Sequence, residues 1–303
     1  MDVSIIIVNY NTKEIIKNCL KSIYAQTKDI SFEVIVSDNG SVDGSSEMLK
    51  SEFPQVILIE NNANLGFGKA NNVAAKNAKG KYFFFLNSDT VLLNNAVKIF
   101  FDFAESQFSH REHCIYGCML TDLRGNIVHS YEKFTPPAKG VFRCIVQTYP
   151  HLAGVSSRIC LKNDSSTDKQ IKTSEIQFII GADLFVLAED FYALDGFDEH
   201  FFMFFEDEDL CRRALLLEIA CCIMQDAKIV HLESRSTKVK SKKIQFFESS
   251  FLFYAKRYYS FATNLLIRVF FVLYSFFRLF DFRFSLKEKI EMFSNTVKSV
   301  EEK

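Results

Sequence analysis

The residues of this chain best suited to chemistry are short polar side chains gathered at five places. One is FFMFFEDEDL at 201–210, where large apolar side chains run straight into Glu206, Asp207, Glu208 and Asp209. Carboxylates repel one another and seek water, so four of them against phenylalanine need a reason. Acids in a first helical turn are favourable caps. A carboxylate desolvated by aromatic rings is also a stronger proton acceptor. Capping accounts for one or two of the four more comfortably than for all. Asp209 has the simplest explanation, an ion pair along a helix with Arg212 or Arg213.

The other four places each close an apolar run. They are Asn9, Tyr10 and Asn11; Asp38, Asn39 and Ser41; Asn61, Asn62, Asn64, Gly66 and Gly68; and Asn87, Ser88 and Asp89. Any one is ordinary turn chemistry. Four in succession describe the carboxyl edge of an open parallel sheet, where such sheets bind ligands. NLGFGKANN at 64–72 lacks the third glycine of a dinucleotide fingerprint and does not open the first helix. No GxxxxGK[ST] phosphate loop occurs, and the first run ends without an acid that could become an aspartyl phosphate. What the groups suit is a nucleotide held by Asp38 and Tyr10, its phosphates met by a divalent cation on Asp89. Mg²⁺ or Mn²⁺ matches carboxylate, amide-carbonyl and phosphate oxygens.

The elements that must position these groups follow from periodicity. An apolar run at 3–8 predicts a strand buried on both faces, and further strands are expected at 32–36, 56–59 and 82–86. Helical spacing predicts helices at 12–25, after the turn at 37–46, and at 70–78. This alternation predicts an α/β fold with a mostly parallel, Rossmann-like sheet. Further on, the pattern predicts a hairpin over 116–129 turning at 122–126, loops and an insert over 134–176, a strand at 178–187 and a helix at 207–217. A basic loop, SRSTKVKSKK, follows at 234–243, and from 246 the chain is aromatic and helical. The division expected is a domain at 1–245 and a C-terminal helical extension at 246–303.

Composition narrows the function classes. A chain of 303 residues with net charge −1 has room for a full core and no nucleic-acid footprint. The 8 Cys form no CxxC pair, which points to reduced thiols in the cytoplasm rather than zinc or disulfides. The start, MDVSIIIVNYN, reads as a strand and not as a signal peptide. The segment FATNLLIRVFFVLYSFFRLF at 261–280 has the length of a membrane span, but Arg268 and Arg278 interrupt it. With seven Lys/Arg against two Asp/Glu between 256 and 289, it reads either as a helix at the membrane interface or as one packed on the protein's own core.

Six segments, taken in order, resemble the family 2 glycosyltransferases of the A-type nucleotide-sugar fold, and in particular the bacterial rhamnosyltransferase-like enzymes of surface polysaccharide synthesis. They are VSIIIVNYNT at 3–12, EVIVSDNGSVDGS at 33–45, NLGFGKANN at 64–72, GKYFFFLNSDTVLL at 80–93, GADLFVL at 181–187 and GFDEHFFMFFEDEDLCRRA at 196–214. The resemblance implies an inverting hexosyl transfer from a nucleoside-diphosphate sugar to a glycan or lipid-linked acceptor. It implies Asp207 as catalytic base, with Glu206 beside it. It also implies donor contacts from Tyr10, Asn11, Asp38, Asn64, Gly66, Asn87 and Asp89, and a cation held by Asp89 and His231. A basic C-terminal surface suits a lipid-diphosphate acceptor at the inner face of the cell membrane. His110, His113, His129, His151 and His200 have no such context and read as structural.

The chain departs from the family at three places. Asn87 replaces the first acid of the strand-four motif, Ala188 and Glu189 stand where many members carry two arginines, and Asp183 stands where an apolar residue is common. Two other readings fit part of the pattern. A sugar-phosphate nucleotidyltransferase shares the sheet but wants a basic, Gly-rich first loop, which 9–12 is not. A catalytically inactive homologue would keep the fold and bind glycan or act as a scaffold.

Overall fold

A computed structural model describes residues 1–108, 113–149, 152, 176–232 and 240–301. His110, His151 and most of the 134–176 and 234–243 segments lie outside those residues. The chain forms two compact units.

The first unit comprises Met1–Phe134, Lys169–Glu199 and Glu206–Ser236. Its first strands are β1 (Val3–Asn9), β2 (Phe32–Asp38), β3 (Ile57–Glu60) and β4 (Tyr82–Asn87). After β5 (Thr90–Leu92), β6 (Cys114–Cys118), β7 (Tyr131–Glu132) and β8 (Phe178–Ile179) come β9 (Asp183–Leu187), β10 (Ala220–Met224) and β11 (Ile229–His231). Seven strands make the main sheet in the order β10-β6-β9-β4-β1-β2-β3, and β9 alone runs against its neighbours. The expected mostly parallel α/β sheet is therefore what forms. Its central strand is apolar on both sides because successive residues point to opposite faces. Ile5 and Ile7 join Val34, Val36, Phe84 and Leu86 in one core. Ile6 joins Ile35, Phe83, Phe85, Leu184 and Val186 in the other. Each fully buried aromatic or aliphatic side chain contributes about 1.5–3 kcal/mol.

Helix α1 (Lys13–Gln26) buries Ile16, Cys19, Leu20 and Ile23, the stripe its spacing predicts. It is followed by α2 (Ser45–Glu52), α3 (Phe67–Ala75) and α4 (Ala96–Phe108). The third begins three residues before its expected start, because Gly66 at φ 84 turns the chain into the helix earlier.

Three expectations change. The strand expected at 178–187 is two, since Ile180–Ala182 breaks it; β8 pairs with β7, and only β9 enters the main sheet. The hairpin over 116–129 reduces to one bridge between Thr121 and Ile127. Asp122 closes its turn, accepting from the amides of Arg124 at 2.8 Å and Asn126 at 2.9 Å, while the preceding apolar residues go to the sheet as β6. Within the stretch read as loops, Pro137 starts helix α5 (Pro137–Thr148), where its missing N–H costs nothing. The first unit also contains α6 (Ala188–Ala193) and α7 (Glu206–Leu216).

The second unit comprises Thr135–Asp168, His200–Phe205 and Thr237–Lys303. With α5 it holds α8 (Lys240–Tyr258), α9 (Phe261–Arg278) and α10 (Leu286–Glu301). Its core joins Cys144, Phe201, Phe205, Phe247, Phe251 and Phe271. Arg278 is buried there, forked onto Glu248 at 2.6 and 2.9 Å, with Thr296 at 3.2 Å. Burial pushes the Glu248 carboxyl up and the guanidinium pulls it back, so each charge depends on the other.

Candidate active site

β1 lies between β2 and β4, and the chain leaves it in one direction through β2 and β3 before returning to the other side as β4. That reversal opens a crevice at the carboxyl ends. Register aligns the ends, with Asn9 opposite Asp38, Asp38 opposite Glu60, and Asn87 opposite Val8.

Asp38 is buried and held from several sides. Asn9 donates to it at 2.7 Å, and Ser41 donates through its hydroxyl at 2.6 Å and its backbone N–H at 2.8 Å. Asn11, left-handed at φ 54, donates its N–H to the Ser41 hydroxyl at 2.9 Å and accepts from the Val42 N–H at 2.8 Å. The loops after β1 and β2 are thereby one rigid piece, with Tyr10 39% exposed beside it. A second lattice fixes the loop after β3. Asn64 accepts from the Gly66 N–H at 3.0 Å, while Asn39 donates to the Gly66 carbonyl at 3.0 Å.

The hydrogen-bond chain reaches β4. Thr12 donates to Asn9 at 2.6 Å and its hydroxyl meets that of Ser88 at 3.3 Å, linking the Asp38 floor to the residue before Asp89. The antiparallel pairing of β5 with β11 then brings two distant residues together, leaving His231 Nε2 3.3 Å from Asp89 Oδ1. Among the described residues no cluster of three or more His, Cys, Asp or Glu is placed to hold a metal. Asp89 and His231 are thus a two-donor set. It fits a cation that takes its other ligands from diphosphate oxygens and water, and the imidazole favours Mn²⁺ over Mg²⁺. Asn87, half-buried, donates its backbone N–H to the Ala182 carbonyl at 2.9 Å and adds no charge.

The same turn before β9 positions Asp207. The Gly181 N–H donates to Asp207 Oδ2 at 3.0 Å, and the Glu208 N–H donates to Oδ1 at 2.8 Å. Asp207 is half-buried, so a substrate hydroxyl can reach it. Glu206 differs. It is 6% exposed, its Oε2 has no hydrogen-bond partner, and burial together with the charges of Asp207 and Asp209 pushes its carboxyl well above the usual range. Burial thus favours the neutral form of Glu206, which sets it apart from Asp207 as a candidate base. Asp209 takes its expected partner Arg213 at 2.8 Å, whereas Arg212 lies over the Phe134 ring, 4.3 Å from its centroid. The aromatic half of the motif has its own reason. Phe204 and Phe205 adopt φ 72 and 68, a left-handed turn that costs about 1–3 kcal/mol per residue. Packing of Phe205 on Phe247, Phe251 and Tyr254 in the second unit holds it.

Thr12 carries no signal in the sequence, since a hydroxyl relay leaves no spacing pattern, and Ser88 stands there only as one member of the group that closes the fourth strand. Asp183 stands there only as a departure from the family. Asp183 is fully buried, accepts from the Cys118 N–H at 2.6 Å, and has Oδ1 unpaired. Burial pushes its carboxyl up to about 7, while His231 pulls it down. A folded value above the ordinary ~3.9 means this group favours the fold below about pH 4, and that contribution fades as pH rises through 7. Asp183→Asn should therefore stabilise the cation-free protein at pH 8 by up to ~4 kcal/mol and change little near pH 4. Urea unfolding at the two pH values checks this, and equal shifts at both would refute it.

Residues 4–111 match the family described as Glycosyl transferase family 2. Over 227 residues the chain is 26% identical to the rhamnosyltransferase WbbL of Escherichia coli K12, covering 71% of this chain and 77% of that one. Over 140 residues it is 34% identical to the UDP-Glc:alpha-D-GlcNAc-diphosphoundecaprenol beta-1,3-glucosyltransferase WfaP of Escherichia coli, covering 39% and 55%. Among solved structures, it resembles the mannosyltransferase PcManGT from Pyrobaculum calidifontis in complex with GDP-Man and Mn²⁺. The TM-score is 0.54 at 14% identity, with 99% of this chain and 87% of that one covered. At such identity the likeness concerns the fold alone, which is the A-type sheet the sequence anticipates. The chain spans 25%, 18% and 63% of the lengths of three further curated relatives.

Proposed function

We propose that this chain, which carries a family 2 glycosyltransferase domain over residues 4–111, moves a hexosyl group with inversion from a nucleoside diphosphate to a glycan or lipid-linked acceptor. The observation that carries the reading is the Asp207 carboxylate, fixed by the Gly181 N–H at the same sheet edge as the Asp89–His231 pair. Asp38, Asn11, Asn64 and Gly66 frame the nucleoside, and Tyr10 offers it a ring face. Asn87 accompanies Asp89 toward the phosphates. A divalent cation on Asp89 and His231 would neutralise charge on the departing diphosphate.

Asp207 accepts the acceptor hydroxyl's proton as oxygen bonds to the anomeric carbon, and the bond to the β-phosphate oxygen breaks with its electron pair. The resemblance to family 2 enzymes and the single positioned carboxylate support a single displacement, and hence inversion. WfaP is named for a diphosphoundecaprenol acceptor, which supports a lipid-linked substrate, and such a substrate would place this chain at a membrane face.

A panel of nucleoside-diphosphate sugars with Mn²⁺ tests the reading. The true donor at a hundred times its dissociation constant should add about 2.7 kcal/mol of stability and raise the melting midpoint by several degrees. Transfer of labelled sugar should follow the same donor. A panel with neither shift nor transfer overturns the reading, and pyrophosphate release from a nucleoside triphosphate would move the protein to nucleotidyl transfer.

A further inference from the structure

Helix α9 has two faces of opposite character. Ile267, Phe271, Ser275 and Arg278 are buried at helical spacing. Every exposed residue of the helix is apolar, with Leu265, Leu266, Val269, Leu273, Phe276 and Phe277 at its centre. Just past the helix, Phe282 is 98% exposed. The arginines that interrupt this segment in sequence do not interrupt its surface. Arg278 is turned inward onto Glu248, and Arg268 is half-buried with its Nε donating to Asn264 at 3.3 Å.

Charge lies at the two ends of the helix instead. Lys256 and Arg257 close α8 before it, and Arg283, Lys287 and Lys289 follow it. Setting aside the internally paired Arg278, residues 256–289 hold six Lys/Arg against two acids. Asp281 and Arg283 cancel each other as a pair at 2.6 Å, which leaves five Lys/Arg against Glu288. The result is an uncharged apolar strip with basic ends.

We propose that this strip is a membrane-docking surface, lying in the plane of an anionic lipid leaflet with α9 parallel to it. The inference deepens the proposed reaction, and rests on it, by naming the surface on which a lipid-linked acceptor is met. Three occupants compete for such a face, and charge separates them. A second copy would bring one set of basic ends against another, which like charges disfavour. Crossing the bilayer would carry the Arg278–Glu248 pair and the helices packed on it into hydrocarbon, which is costly for charged groups. Anionic headgroups complement the basic ends while the leaflet takes the apolar strip.

The test uses the full chain and its Leu266→Glu/Phe276→Glu variant, two changes on the exposed face, with Phe282→Glu as an independent second variant. Wild type should sediment with mixed phosphatidylcholine–phosphatidylglycerol vesicles and only weakly with phosphatidylcholine alone. Salt should weaken the binding in part, because it screens the basic ends and leaves the apolar term. The double variant should lose at least about tenfold in partitioning, and Phe282→Glu a smaller share, with melting midpoints unchanged. Unchanged partitioning of both variants overturns the proposal. So does a concentration-dependent dimer that the double variant abolishes, or resistance of wild type to alkaline extraction from membranes. Vesicle binding without turnover of any nucleotide sugar leaves the docking surface standing and removes the transferase reading. Turnover without vesicle binding does the reverse.

Discussion

Asp207→Asn is expected to lower sugar transfer by about two to four orders of magnitude while leaving the fold and donor affinity intact. The amide keeps an oxygen to accept from the Gly181 N–H, so the turn before β9 stays in place, but it cannot take a proton from a sugar hydroxyl. The loss should fall on turnover and not on the donor's dissociation constant, because the base acts only as the new bond forms. Glu206→Gln is the control. With the Glu206 carboxyl sealed and pushed up by burial, its amide should retain most of the rate. Single-turnover transfer with both variants decides the matter. Near-full activity in Asp207→Asn, with collapse in Glu206→Gln, would hand the base role to Glu206 and show that its environment changes when substrate binds.

Removing the cation should weaken nucleoside-diphosphate binding and transfer together. A bound divalent ion stabilises charge on the leaving diphosphate by several kcal/mol, so Asp89→Ala should cost transfer at least about a hundredfold. Calorimetry with the nucleoside diphosphate gives a readout independent of turnover. Mn²⁺ should tighten binding to wild type and have little effect on Asp89→Ala. His231→Ala should give an intermediate loss, since the Asp89 carboxylate would remain to hold a cation. Full transfer in excess EDTA would refute the metal-dependent route, and Asn87, an amide where a second acid is common, would then be the reason.

Most of the polar sheet edge was legible in the sequence. Apolar runs of the right length closed by Asn, Asp and Ser define strands and their carboxyl ends through local physics alone. Periodicity of two against 3.6 separates strand from helix, and short polar residues close both. Asp38, Asn64 and Asp89 could be nominated for that reason. Likewise the apolar–acidic junction at 201–210 announces a helix start under aromatic cover. The broken strand at 178–187 was not legible, because the residues around Gly181 are as apolar as a strand and only the demands of α3 and α7 against that glycine break it. The helix at 137–148 was hidden for the opposite reason, since paired prolines read as loop until one occupies a first helical turn.

Pairing and direction were left to the tertiary structure. His231 meets Asp89 only because β11 lies antiparallel on β5, and no spacing along the chain contains that register. Glu206 and Asp207 are neighbours of the same chemistry, yet one is sealed with its carboxyl pushed up by burial while the other is half-buried and accepts the Gly181 N–H, a difference set by which side of α7 meets the core. Along 261–280 the composition was plain from the start, with apolar bulk and two arginines. Whether those arginines break the apolar surface depends on where each side chain points. A partner for Arg278 thirty residues away on α8 turns it inward, because a buried guanidinium requires a carboxylate and Glu248 supplies it.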